Sequence, residues 1–153
     1  MSPDDRPQAE VCNCLAVRQA ARHVTQFYDQ FLASAGLRTT QYSILAKLRW
    51  KGPMTINTLA QELVMDRTTL GRNILPLQRD GLLAVVKSAS DRRSKELCLT
   101  DAGAERLRAA RDGWSQAQAQ FDAAFGSSRA QALRVLLHTV AATDLAAPPA
   151  GSP

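Results

Sequence analysis

Apolar residues recur at Val17, Ala21, Val24, Tyr28, Phe31 and Ala35, the three-and-four spacing that lines one face of a helix. This stripe predicts a first helix from about Cys12 to Ala35, stopped by Gly36. Tyr42, Leu45 and Leu48 carry the period into a second helix after Thr40, which breaks at Lys51-Gly52-Pro53. Ile56, Leu59, Ala60 and Leu63 then mark a short helix that Thr55 can cap. After a brief connection at Val64-Met65, Asp66 is a good N-cap for a helix bearing Leu70, Ile74 and Leu77. Two short helices joined so closely make a helix-turn-helix.

Past Gly81 the period shortens to two. Leu82 to Val86 reads as a strand, the polar stretch from Lys87 to Lys95 as a turn, and Glu96 to Thr100 as a returning strand. On that return Leu97 and Leu99 face the core, while Glu96 and Cys98 face out. A two-stranded ribbon directly after a helix-turn-helix is a winged helix. Thr100 starts a long helix through Phe125, and Ser127 or Ser128 starts a last one carrying Leu133, Leu136, Leu137 and Val140. The expected fold is mainly α with a small β wing: a winged helix-turn-helix at 39–99, with dimerisation helices at 12–38 and 100–145 and flexible ends at 1–11 and 146–153. The outer helices hold more apolar face than the small module can cover, which predicts packing against a second copy.

Composition adds a partner. The 153 residues are 45% apolar and 22% charged, the make-up of one globular domain with appended helices. No apolar run approaches the roughly 18 residues of a membrane span, and no signal core follows the polar N-terminus, so the expected location is the cytoplasm. The net charge is +5, and 7 Lys or Arg against 3 Asp between Asp66 and Lys95 put +4 of it in a fifth of the chain. A basic zone that local points to a polyanion. The three cysteines, Cys12, Cys14 and Cys98, lack the pairing of a disulfide framework or zinc site and read as reduced thiols. Cys12, Cys14, His23 and His138 make a poor metal set, because Cys-x-Cys on one helix splays its sulfurs. Cys14 and His23 lie about 13 Å apart along one helix, too far for a nucleophile and its base. With no phosphate-binding glycine loop or carboxylate cluster either, the chain reads as a non-enzyme without cofactor.

The helix after Asp66 presents Arg67, Thr68, Thr69, Arg72 and Asn73 on its first turns, where a helix in the major groove meets base edges. Arg92, Arg93 and Lys95 crowd the ribbon tip, which can reach phosphates and the adjacent minor groove. Pro76 removes a backbone donor from the same helix and predicts a kink or an early end beyond the reading turns. The competing reading is a winged helix used only for protein contacts, which an acidic or apolar helix here would favour. This one is basic and polar.

The residues Asp91, Arg93, Leu99, Thr100 and Gly103 match an Asp-x-Arg…Leu-Thr-x-x-Gly signature, and the sequence resembles the MarR family of multiple-antibiotic-resistance regulators from Cys12 to about Thr143. The resemblance implies a triangular two-fold dimer on a pseudo-palindromic operator, with Arg93 in the minor groove and Asp91 orienting a nearby arginine. Cys14, Tyr28 and Gly36-Leu37 are spaced as in the organic-hydroperoxide-sensing branch, where a thiolate is held by tyrosines of the partner subunit. Thr39 stands where that branch has its second tyrosine. Two other readings stay open: Cys14 as a small core residue, or a small aromatic acid as signal, in a pocket of Arg18, Arg22, His23, Arg49 and Trp50. The implied function is a homodimeric transcriptional regulator, a repressor released from DNA by a chemical signal. Its expected partners are double-stranded DNA, a second copy and a small-molecule effector, with no membrane.

Overall fold

The computed structural model describes residues 8–146, so the expected flexible ends at 1–7 and 147–153 lie outside the described residues. Residues 8–11, also expected to be flexible, form a 3-10 turn ahead of α1 (Asn13–Leu32). A second 3-10 turn at Ala33–Ala35 closes on Gly36, whose φ of 70° lies in the left-handed region that glycine enters without strain. Then come α2 (Thr39–Lys51), α3 (Ile56–Leu63), α4 (Arg67–Arg79), β1 (Leu83–Lys87), β2 (Lys95–Leu99), α5 (Asp101–Phe125) and α6 (Ser127–Ala142).

Side chains start these helices as the sequence predicts. Thr55 Oγ1 accepts the Thr58 backbone N–H at 3.2 Å, and Asp66 Oδ1 accepts that of Thr69 at 2.8 Å. A longer-range cap joins α1 to α2, where Asp29 Oδ1 accepts both the backbone N–H and the hydroxyl of Thr39, each at 2.7 Å. Pro76 does not end α4. The helix continues to Arg79, and the Asp80 N–H closes the last turn on the Pro76 carbonyl at 3.0 Å. Burial of Leu77, 1% exposed, anchors the turn that the proline weakens.

The chain divides into two compact units, Met1–Ala117 and Gln118–Pro153, with the boundary inside α5. In the first, Leu32, Ile44, Leu45, Leu59, Leu70, Leu77 and Leu83 are fully buried in one core. Leu32 and Leu37 thus share a core with the winged module. The predicted stripe of α1 is drier at its end than at its start: Val17 and Ala21 are exposed, and Leu32, which is not on that stripe, is the buried anchor. The two strands pair antiparallel from Leu83↔Leu99 to Lys87↔Lys95. Beyond β2, Met54 and Leu97 exchange backbone hydrogen bonds of 3.2 and 2.8 Å, so the ribbon is held on its other edge too. In the second unit, α6 buries Ala130 but leaves Val135, Leu136, Leu137 and Val140 exposed.

Two backbone features position α4 and the wing. The turn between α3 and α4 passes through Val64 at φ 52°, an uncommon place for a β-branched residue, with its side chain out in solvent. At the base of the ribbon, the Thr100 hydroxyl donates to the Gly81 carbonyl at 2.6 Å and accepts the Gly103 N–H at 3.0 Å, capping α5 while fastening it to the end of α4. A Cβ at Gly103 would lie 1.9 Å from the Leu82 carbonyl oxygen, so only glycine lets α5 come this close. Because the obstacle is main chain, Gly103→Ala is expected to lower stability by about 3 kcal/mol. Urea unfolding midpoints check this, and an unchanged midpoint would show that the close approach is not needed.

Candidate nucleic-acid interface

Helix α4 turns Leu70, Ile74 and Leu77 inward and leaves Arg67, Thr68, Thr69 and Arg72 exposed. These side chains are not equally available. The Thr69 hydroxyl donates to Asp66 Oδ2 at 2.6 Å, so it belongs to the cap. Asn73 turns back along the helix, its Nδ2 donating to the Thr69 carbonyl at 2.9 Å. Among the described residues no hydrogen bond or ion pair holds the side chains of Arg67, Thr68 or Arg72. Gly71 sits between them, and a Cβ there would meet nothing within 4 Å. A glycine inside a helix costs roughly 1 kcal/mol relative to alanine, and here packing within the chain does not require it.

The ribbon tip is built by its own polar groups. Ser88, buried at 5%, accepts the Ser90 N–H and donates to Glu96 Oε1 at 3.0 Å, while the Ser94 N–H closes on the Asp91 carbonyl at 3.0 Å. Asp91 Oδ1 accepts the backbone N–H of Arg93 at 3.0 Å. Its grip is therefore on the main chain of the tip and not on a guanidinium. Arg92, Arg93 and Lys95 are all exposed, on the same compact unit as α4.

A separate recess of about 450 Å³ opens beside α1, α2 and α5, with Tyr28, Tyr42, Lys47, Trp50 and Trp114 in its wall. The Tyr42 and Trp114 rings lie nearly parallel, 6.3 Å between centroids. Burial pushes the Tyr42 hydroxyl above its ordinary range, against a smaller opposing pull from Arg111. On the other side of that ring pair, Arg49, Arg108 and Arg111 line a smaller recess of about 260 Å³. Of the residues predicted for a pocket, Trp50 borders the first recess and Arg49 the second, while Arg18, Arg22 and His23 lie on the exposed part of α1 and line neither. Tyr42 and Trp114 are 72 positions apart, so sequence spacing gave no sign that they meet.

Cys14 is exposed on the first turn of α1, and Cys12 caps that helix, its Sγ accepting the Leu15 N–H at 3.4 Å. Tyr28, on the same helix, lies about 21 Å further along the axis from Cys14. Cys98 is half-buried, and both burial and the neighbouring Glu96 raise its thiol above the ordinary value, which disfavours the reactive thiolate. Among the described residues, no three His, Cys, Asp or Glu side chains gather as a metal ion would need, and no helix is long and apolar enough to cross a membrane.

A basic reading helix, a ribbon with a basic tip and the buried corner between them define a winged helix-turn-helix of the transcription-regulator class. Residues 37–95 match the MarR family. The transcriptional regulator MosR of M. tuberculosis, solved in complex with DNA, is 35% identical, with 88% of this chain and 99% of that one covered and a TM-score of 0.74. The repressor CouR, bound to a 23-mer DNA duplex, is 25% identical over 88% of this chain and 95% of its own, with a TM-score of 0.77. Bordetella bronchiseptica BpsR, whose DNA binding is regulated by 6-hydroxynicotinic acid, shares the fold at 21% identity, with 91% and 99% coverage and a TM-score of 0.79. No curated protein matches the sequence. The chain belongs to the MarR family.

The cap of α4 carries a pH signature. Hydrogen bonds from the Thr69 hydroxyl and backbone hold the Asp66 carboxyl below the 3.8 of an ordinary aspartate. Folding thus favours the charged form, and its stabilisation is complete above the ordinary value and is lost as pH falls through the lowered one. Asp66→Ala is expected to be less stable than wild type at neutral pH, with a gap constant down to about pH 5 and narrowing in stronger acid. Unfolding midpoints along a pH series test this, and a gap that widens in acid would contradict it.

Proposed function

We propose that this protein is a homodimeric transcriptional repressor that grips a pseudo-palindromic operator and is released by a chemical signal. The observation that carries the reading is the pairing of two exposed basic elements on one unit: Arg67, Thr68 and Arg72 on α4, and Arg92, Arg93 and Lys95 on the wing tip. In this reading α4 enters the major groove and Arg93 the neighbouring minor groove, with Asp91 shaping the tip that carries Arg93. Thr69 and Asn73 join only by releasing the bonds they make to α4 and its cap. The DNA-bound MosR, 35% identical over most of this chain, supports it. The second copy covers the apolar row of α6, where Val135, Leu136 and Val140 are 60%, 63% and 49% exposed, and the wet start of α1 with Val17. A monomer rarely leaves an apolar row like that of α6 uncovered.

The signal enters at one of two places. The recess walled by Tyr42 and Trp114 has the size and apolar lining of a small-ligand site, and Lys47 in its wall, now paired with Glu62 at 3.1 Å, would meet the carboxylate of an aromatic acid by exchanging that partner. Alternatively an oxidant modifies Cys14, which is open to solvent at a helix start. Selection from random duplexes by the reduced protein, repeated with hydroperoxide and with aromatic acids, separates the two. Loss of binding on oxidation that Cys14→Ser prevents assigns the thiol. Loss with an acid that Trp114→Ala prevents assigns the recess.

Arg93→Ala is expected to weaken binding to all duplexes alike and to reduce the salt slope by about 1, as the loss of one ion contact requires. Arg72→Ala is expected to relax base preference at one position of each half-site instead. Salt titrations and repeated selection distinguish these outcomes, and unchanged affinity and selectivity in both variants would overturn the reading.

A further inference from the structure

Helix α4 holds a feature that neither its caps nor its cations explain. Leu70, Ile74 and Leu77 are 0%, 4% and 1% exposed and fix the inward side of the helix. At about 100° per residue, Thr68, Arg72, Leu75 and Arg79 cluster on the opposite side. Leu75 is 64% exposed there, an aliphatic side chain in the middle of a basic face. Helical side chains lean toward the N-terminus, so Leu75 lies over the turn that contains Gly71, four residues earlier. Gly71 has no packing reason to be glycine, since a Cβ there would meet nothing within 4 Å. Gly103 and Gly113 are different: added Cβ atoms would lie 1.9 Å from the Leu82 carbonyl oxygen and 2.3 Å from that of Phe31. Their bareness serves the fold, whereas that of Gly71 faces outward.

We propose that Gly71 and Leu75 form a methyl-reading notch that selects a thymine in each half-site. The inference rests on the reading that α4 lies in the major groove. The basic surround selects DNA as the occupant, because Arg72 and Arg79 flank Leu75 on the same side of the helix. The major-groove edges of the four bases offer donors, acceptors and one apolar group, the C5 methyl of thymine. An aliphatic side chain on this face has only that group to match. Leu75 supplies the apolar contact, and the missing side chain of Gly71 supplies the room. Leu75 and Gly71 are thus specificity-determining residues, beside the hydrogen-bonding Arg67 and Arg72.

The test uses the full chain and the duplex it selects from a random pool. Each thymine of the half-site is replaced in turn by deoxyuridine, which removes the methyl and leaves the pairing intact. At one symmetric position, wild type should lose roughly fourfold in affinity per half-site, the worth of one buried methyl-sized group. Leu75→Ala should bind the thymine and deoxyuridine duplexes equally and select no preferred base there. Gly71→Ala fills the notch, and should bind the deoxyuridine duplex better than the thymine one. Both positions face away from the core, and circular dichroism checks that the variants fold. Wild type indifferent to every methyl, or a Leu75→Ala protein that keeps the thymine preference, overturns the notch while leaving α4 as the reading helix. Failure of wild type to select any duplex overturns the underlying reading, and the notch with it.

Discussion

Thr100 ties together four pieces of chain through its hydroxyl and its backbone. It donates to the Gly81 carbonyl just past α4 and accepts the Gly103 N–H in the first turn of α5, while its own backbone N–H reaches the Leu82 carbonyl at 3.2 Å. Gly103, lacking a side chain, lets α5 lie directly against that same Leu82 backbone. The end of the reading helix, both strands of the wing and the start of α5 therefore meet at one corner, and interiors packed this closely pass on a displacement instead of absorbing it. The Leu-Thr-x-x-Gly string records this corner: Leu99 packs on the core, Thr100 bonds twice, and Gly103 yields space.

A ligand held in the recess would bear on that corner. Trp114 lies on α5, whose first turn holds Gly103, and Tyr42 lies on α2, whose Leu48 shares the core with Leu70 of α4. A ligand between such helices affects DNA binding only by the difference in its affinity for two arrangements of them. Tight binding alone shifts nothing. The Tyr42–Trp114 ring pair lines both recesses, and aromatic pairs are stable both stacked and edge-on.

What was legible in the sequence was local. Thr55 and Asp66 each cap a helix through atoms three residues away, and Leu70, Ile74 and Leu77 needed only the helical period to be assigned inward. The alternation in β2 placed Leu97, and the basic tip followed from the turn between the strands. Of the two outcomes Pro76 allowed, the early end did not occur: the penalty of a lost donor is local, whereas the burial of Leu77 beyond it is tertiary. Asn73 and Thr69 were counted as readers from residue type and place in the first turns, and their present bonds to the helix could not be seen without side-chain positions. The recess needed α2 and α5 brought together across 72 positions, so it stayed hidden and the exposed Arg18, Arg22 and His23 took its place.

The ion pairs of the chain are unevenly placed. Glu62 receives both Lys47 and Lys51, at 3.1 and 2.8 Å, Glu105 takes Arg108, and at the end of α4 Arg79 pairs with Asp80 at 3.3 Å. Among the described residues no acidic side chain pairs with Arg67, Arg72, Arg92 or Arg93. The cations of the first turns of α4 and of the wing tip therefore stay open to solvent and unpaired. A polyanion attracts such a cluster from a distance, and collisions that start in the wrong orientation are turned toward the productive one. Capture, more than residence, should then carry the sensitivity to ionic strength.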